Sequence, residues 1–300
     1  MDGILNINKP AGETSFGVVA AVRRICHERR VGHAGTLDPL ATGVLPVCLG
    51  KATRVAEYLM EHPKQYRATI EFGITTDSGD ADGRILAQGD ATRIQVEALH
   101  AALSAFHGQI EQTPPMFSAL KHRGQPLYEL ARAGITVERS SRTVQIYDLR
   151  LVSWEGPVLV IEVTCSRGTY IRTIAEDLGK ALGCGAYLKH LCRLEYGPFS
   201  VENSLSLAQL ESTVVDGGLP GVLHSLDSVL MHLLAIDLNA EFEDSMRHGR
   251  PLPQQLVESE PPVGASEKGR LRAYNLDGCF LGVLRFNSEK HEWQPEKVFS

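Results

Sequence analysis

Residues 31–50 read VGHAGTLDPLATGVLPVCLG, a glycine- and proline-rich segment that carries His33, Asp38 and Pro39. Glycine-rich loops ahead of helices often cradle phosphate on free N–H groups, so a nucleotide site is the first reading to test. It fails. A P-loop needs Ser or Thr after Gly-Lys, whereas Gly50-Lys51 is followed by Ala52, and Leu45 stands where the first glycine belongs. No GxGxxG lies in the segment either. An enzyme built on this loop therefore works without bound ATP or a dinucleotide. Asp38 precedes Pro39, the pairing of a helix start with Asp as N-cap and Pro in the first turn. On spacing alone, His33 reads as a turn or core histidine.

Outward from this segment the chain alternates helical and strand patterns. Gly3–Asn8 predicts a strand, Lys9–Gly12 a turn, and Thr14 or Ser15 the cap of a helix with Val18, Val22 and Ile25 on one face. On the other side, Ala52, Val55, Ala56, Leu59 and Met60 predict a second helix. Ala68, Ile70 and Phe72 then alternate with polar residues as in a half-buried strand. The stretch TDSGDADG (76–83) resembles a calcium loop only superficially, since Ser78 stands at the first acidic position and Gly89 at the closing one; a solvated loop is expected. Val96, Leu99, Leu103 and Phe106 mark a helix closed by Gly108. Val144, Ile146, Leu149 and Leu151 give a strand whose alternation slips near Asp148, as at a bulge. Leu159–Cys165 reads as a continuous apolar strand. Thr169 is placed to cap a helix burying Ile171, Ile174, Ala175, Leu178 and Leu182, ended by Gly183. Residues 211–221 look like a linker, and short strands and turns follow from about Leu234.

The composition is that of an ordinary globular protein, 43% hydrophobic and 22% charged over 300 residues. No basic-then-apolar leader and no apolar run of about 18 residues occurs, so a cytoplasmic location away from membranes is expected. The six cysteines, Cys26, Cys48, Cys165, Cys184, Cys192 and Cys279, form no CxxC pair. Reduced thiols rather than disulfides or a metal site are expected, Cys184, His190 and Cys192 being too loosely spaced. A net charge of −6 argues against nucleic acid, but it is unevenly placed. Residues 201–300 hold 8 basic and 15 acidic side chains, and residues 1–200 hold 22 and 21. Within residues 121–142, Lys121, Arg123, Arg132, Arg139 and Arg142 face only Glu129 and Glu138. Phosphate contacts depend on such local charge.

Five blocks taken in order carry a family resemblance. GHAGTLDPLATGVLPVCLG (32–50) resembles the catalytic signature of the TruB family of tRNA pseudouridine-55 synthases. NKPAGETS (8–15) is similar to that family's N-terminal motif, and KQYRATIEFGITTDSGDADG (64–83) to its second block. PPMFSALKHRGQPLYELARAG (114–134) resembles the block in its RNA-gripping insertion, and CSRGTYIRTIAEDLGKALGCGAYL (165–188) its third catalytic block. The match runs through residues 3–200.

What the resemblance implies is an α+β protein. Residues 1–225 would form a catalytic domain with a mixed, mostly antiparallel sheet flanked by helices and an RNA-binding insertion at about 75–140. Residues 232–300 would form a small β-rich, PUA-like domain, its short motifs being 278–282 (GCFLG) and 297–299 (KVF), with Arg270 and Arg272 as a local basic spot. The implied reaction isomerises uridine 55 in the T loop of tRNA. It makes Asp38 the nucleophile, Arg172 its positive partner and Tyr66 a stacking group placed to help proton removal. On their own, Arg172 would pair with Glu176 at i,i+4, and Tyr66 would be a half-buried strand aromatic. The resemblance also places His33 where the base is flipped, Tyr170 and Leu191 around the pocket, and Lys9 near the site. With Tyr128, the basic residues Lys121, Arg123 and Arg132 are suited to gripping the RNA arm. No cofactor, metal, guide RNA, membrane or obligate protein partner is implied, and a monomer is expected. Two rivals remain: a guide-RNA-dependent synthase, disfavoured by the long insertion, and a tRNA-folding chaperone with or without catalysis. A nucleosidase pairing Asp38 with Glu57 lacks a well-placed second carboxylate.

Overall fold

The computed structural model describes residues 1–256 and 269–299. The N-terminal part runs β1 (Gly3–Lys9), α1 (Ser15–Ile25), β2 (Val31–His33), β3 (Thr42–Leu49), α2 (Ala56–Glu61) and β4 (Lys64–Phe72). A hairpin, β5 (Ile74–Thr76) and β6 (Ile85–Gln88), leads to α3 (Val96–Ser104) and β7 (Gly108–Gln112). A second hairpin, β8 (Lys121–His122) and β9 (Gln125–Pro126), precedes α4 (Leu127–Arg132). Then come β10 (Arg142–Glu155), β11 (Val158–Cys165), α5 (Ile171–Ala181), β12 (Ala186–Tyr196), β13 (Phe199–Ser200), α6 (Leu207–Val215) and α7 (Leu219–Val222). The last elements are β14 (Leu234–Leu238), α8 (Ala240–Arg247), β15 (Leu252–Pro253), β16 (Arg270–Asn275), β17 (Phe280–Asn287) and β18 (Glu292–Val298).

The main sheet has nine strands, in the order β1-β3-β12-β4-β11-β10-β7, with β2 beside β3 and β13 beside β12. All its ladders are antiparallel except β12 on β3. The fold is thus the expected α+β, with a mostly antiparallel sheet. Period-two alternation assigns its faces. Ala68, Ile70 and Phe72 of β4 and Ile161 and Val163 of β11 bury against Ile171, Ile174, Ala175 and Leu178 of α5 and against α3. The opposite face of these strands carries charge: Glu162 is held by Arg67 at 2.6 Å and by Arg150, and Glu71 by Lys189 at 2.7 Å.

β3 corrects the reading of residues 31–50 as a loop. Only 34–41 is irregular; Thr42–Leu49 is a strand buried on both faces, Leu45, Val47 and Leu49 against α1 and Val44 and Cys48 toward α2. A doubly buried strand shows no alternation to read. Its pairing with β12 depends on Gly43, whose φ is +98° and whose added Cβ would collide with the Arg193 backbone. Gly43→Ala is therefore expected to cost about 3 kcal/mol or more in urea unfolding; an unchanged midpoint would contradict this packing.

Two further expectations are corrected. Residues 211–221 are not a linker: α6 opens with a capping box between Ser206 and Gln209, and Leu210 and Leu219 bury against α1. Thr169 is not the cap of α5, because its hydroxyl donates to the Ser166 carbonyl and Tyr170 holds the cap position without a side-chain bond.

The C-terminal strands form their own five-stranded sheet, β14-β16-β17-β18-β15, around Leu238, Met246, Leu271, Leu284 and Trp293. This β-rich unit is docked on α2 and the turn before it. Arg54 donates to the Val298 carbonyl at 2.7 Å and stacks on Phe299, while Lys297 pairs with Glu57. Arg270 and Arg272 are not a free basic spot. The first is held by Glu296 at 2.6 Å and lies over Tyr58, and the second donates to the Leu233 carbonyl at 3.0 Å.

Candidate active site

The loop 34–41 between β2 and β3 presents Asp38, and neighbouring side chains fix its backbone. The Ser15 hydroxyl both accepts from the Leu37 N–H at 2.9 Å and donates to the Leu37 carbonyl at 3.2 Å. The Lys9 ammonium donates to the carbonyls of Pro10, Glu13 and Pro39 at 2.8, 2.6 and 3.0 Å. Asp38-Pro39 opens a tight turn, closed by the Ala41 N–H on the Asp38 carbonyl at 3.0 Å, and leads straight into β3 rather than into a helix. Lys9 is 0% exposed and braces the loop from behind. Burial pulls its pKa down to about 8.

Asp38 leans on Arg172 in the first turn of α5. Arg172 Nη2 donates to Oδ1 at 3.1 Å, and Nε lies 3.0 Å from Oδ2. The Arg172 side chain is 3% exposed and that of Asp38 34%, so the carboxylate is paired on its inner side and open on its outer side. The same guanidinium donates to the carbonyls of Ser78 at 3.1 Å and Phe117 at 2.8 Å, and lies 3.6 Å from the Asp80 carboxylate. This replaces the surface pairing with Glu176 that spacing alone suggests.

Asp80 and Ser78 were missed by sequence reasoning. Far from a solvated loop, residues 78–80 are buried: Leu188 of β12 bonds Gly79 and Ala81 through its backbone, and the Ser78 hydroxyl donates to Asp80. Burial pushes the Asp80 carboxyl up, against the pull of Ser78 and Arg172. The available signal was that both residues lie inside the block 64–83 that carries the family resemblance.

Tyr66 on β4 is 7% exposed and lies beside Arg193 of β12, its register partner. Burial pushes its phenol pKa up, with Arg193 pulling it down, so at neutral pH it is protonated. That state suits stacking and hydrogen bonding better than unaided proton removal.

Asp38, Tyr66, Arg172 and Arg193 line a cleft of about 730 Å³, shared with His33, Lys64, Ser118, Tyr170 and Leu191; Lys9, Ser78 and Asp80 lie outside its lining. Burial, then Arg193, pulls the His33 pKa down, so the ring is neutral at pH 7. Tyr170 is fixed through its backbone by Gln112, at 2.9 and 3.2 Å, with the Arg142 guanidinium over its ring. Lys121, Arg123 and Arg132 do not line the cleft; they are exposed on the β8–β9 hairpin and α4, whose preceding residues 118–120 form one of its walls. Arg132 stands over the Tyr128 ring at 5.5 Å. Glu57 lies outside the cleft lining, paired with Lys297.

Lys64, also missed, packs 4.3 Å over the Tyr196 ring and donates to the His62 carbonyl at 3.1 Å. Burial, then the Arg193 charge, lowers its pKa from 10.5 to about 8. Below pH 8 both folded and unfolded states hold this proton. Between about 8 and 10.5 only the unfolded state does, so its contribution to stability rises with pH across that window. Relative to Lys64→Met, the wild type is expected to gain of the order of 1–3 kcal/mol from pH 8 to 10.5 in urea unfolding. Lys9 has a similar shift, but it is present in both proteins and cancels.

Comparison with known proteins gives one consistent result. Residues 23–171 match the TruB family pseudouridylate synthase N-terminal domain, and residues 172–231 the tRNA pseudouridylate synthase B C-terminal domain. The chain is 46% identical to the tRNA pseudouridine synthase B of Dehalococcoides mccartyi, over 100% of this chain and 97% of that one. It is 41% identical to the protein of the same name from Hydrogenovibrio crunogenus, over 100% and 94%. Among solved structures it resembles a Cbf5-Nop10-Gar1 complex, with a TM-score of 0.74 and 26% identity over 99% of this chain and 81% of that one. Among the described residues, no helix is long and apolar enough to cross a membrane.

Proposed function

We propose, proceeding from the fact that this chain belongs to the TruB family and is a pseudouridine synthase, that it converts uridine 55 in the T loop of tRNA, with Asp38 as nucleophile. The observation that carries this reading is the half-open carboxylate: Asp38 is gripped on one side by a buried guanidinium and faces a cleft on the other. The guanidinium fixes the direction of the carboxylate, and an oriented carboxylate open to the cleft is what attack on the nucleoside requires.

The reaction breaks the uracil N1–C1′ bond, turns the base and joins C5 to C1′. N1 gains a proton and C5 loses one. Nothing is oxidised or transferred to a second molecule, so the balance needs no cofactor. The target base leaves the RNA stack at a cost of a few kcal/mol. His33 at the cleft wall acts as the wedge, Tyr66 stacks on the flipped base, and Tyr170 and Leu191 pack around it. Lys121, Arg123 and Arg132 on the insertion at about 75–140 meet the phosphates of the T stem. Residues 1–225 form the catalytic domain, and residues 232–300 a PUA-like domain. The enzyme works as a monomer in the cytoplasm without guide RNA or a protein partner.

The test is to map pseudouridine by carbodiimide-dependent reverse-transcription stops in unmodified tRNA incubated with purified protein alone. A single stop, one nucleotide 3′ of position 55, is expected. Modification at another position, or only when a guide RNA is added, would overturn the reading.

A further inference from the structure

Arg193 is 0% exposed and has no part in the chemistry above. It sits in β12 where three parts of the site meet, facing Tyr66 of β4 on one side and Gly43 of β3 on the other. Its Nη2 donates to the Gly35 carbonyl at 3.1 Å and its Nε to the Val44 carbonyl at 2.6 Å. Those two carbonyls flank the turn that presents Asp38. Tyr66 is its register partner on β4, the Arg193 charge pulls that phenol's pKa down, and the guanidinium lies 4.8 Å from the Tyr196 ring centroid.

Among the described residues, no carboxylate pairs with it. Arg67, Arg150, Arg172 and Arg270 all have an acid at hand. A buried guanidinium without a counter-ion is costly, and an apolar side chain of similar size would relieve that cost. Stability alone gives no reason to place it there, whereas geometry does. A planar fork holds its donors in fixed directions, whereas the three donors of a lysine rotate.

We propose that Arg193 is a positioning residue. It ties down both ends of the Asp38 turn while lying beside Tyr66, its register partner on the neighbouring strand. One side chain thereby sets the distance between the nucleophile and the stacking group. The inference rests on the reading of Asp38 and Tyr66 as the groups that meet the uridine.

Arg193→Met and Arg193→Lys test it, through single-turnover conversion of tRNA, tRNA affinity, and ¹⁹F NMR of protein carrying 3-fluorotyrosine. Tyr66→Phe assigns the Tyr66 resonance. Arg193→Met is expected to slow single turnover 30-fold or more with tRNA affinity within threefold of wild type. It should also move the Tyr66 resonance further than that of any other tyrosine except Tyr196. Arg193→Lys, which keeps the charge but not the fork, is expected to recover only part of the rate. A wild-type rate in Arg193→Met, or an unmoved Tyr66 resonance in either variant, would overturn the proposal. If the methionine variant does not fold, the lysine variant decides by the same two readouts. A wild type that converts no tRNA would instead remove the underlying reading, while a shifted Tyr66 resonance would still report the contact.

Discussion

Asp38→Ala is expected to lower single-turnover conversion of tRNA by about 10⁴-fold or more, the scale seen when the central group of a catalytic constellation is removed. Folding should survive. The side chain is about one-third exposed, and without it Arg172 keeps Asp80 and the carbonyls of Ser78 and Phe117 as partners. Stability should change by no more than about 1 kcal/mol, and tRNA affinity should hold, since the phosphate contacts lie elsewhere. Asp38→Asn sharpens the test, because it keeps the shape and an acceptor for Arg172 while removing the charge. It should be as inactive as the alanine variant. An asparagine variant within tenfold of wild type would show that a charged nucleophile is not what the site uses.

Arg172→Met is expected to lose both activity and stability, which separates it from the Asp38 variants. The guanidinium is 3% exposed, and its removal strands the buried Asp80 along with two carbonyls. Deleting one partner of a buried pair costs about 3–5 kcal/mol. The pH dependence has a defined sign. Asp80 already binds its proton more readily when folded, because burial raises its pKa, and without Arg172 the pKa rises further. A carboxyl with a raised folded pKa favours the folded state as pH falls through that value and costs stability once ionised. The deficit of Arg172→Met should therefore be larger at pH 8 than at pH 5 in urea unfolding. Adding Asp80→Asn should restore part of the stability at pH 8 and none of the activity. Equal deficits at both pH values would contradict the account of Asp80.

The sequence made some of this legible and hid the rest for physical reasons. β4 and β10 were readable because each half-buried run has a clear period, even to the slip near Asp148, and β11 as a short apolar run free of glycine and proline. β3 was not, since a strand buried on both faces and bearing glycine and proline reads as a loop. α6 was mistaken for a linker on composition, although its Ser206–Gln209 capping box was there to be read. At the site, Asp38, Tyr66 and Arg172 are too far apart in sequence for any spacing to join them; only the family resemblance did so. Asp80 and Arg193 stayed hidden because what makes them notable is burial, which arises when Leu188 closes over one and β3 over the other.

The most direct measurement of the central claim is tritium release from tRNA labelled at C5 of uridine, with the purified protein and no guide RNA or cofactor. One equivalent released per tRNA by the wild type, and none by Asp38→Ala at undiminished tRNA binding, is the expected result. Tight tRNA binding by both proteins with no release from either would contradict it, and would make the protein a tRNA-folding chaperone instead.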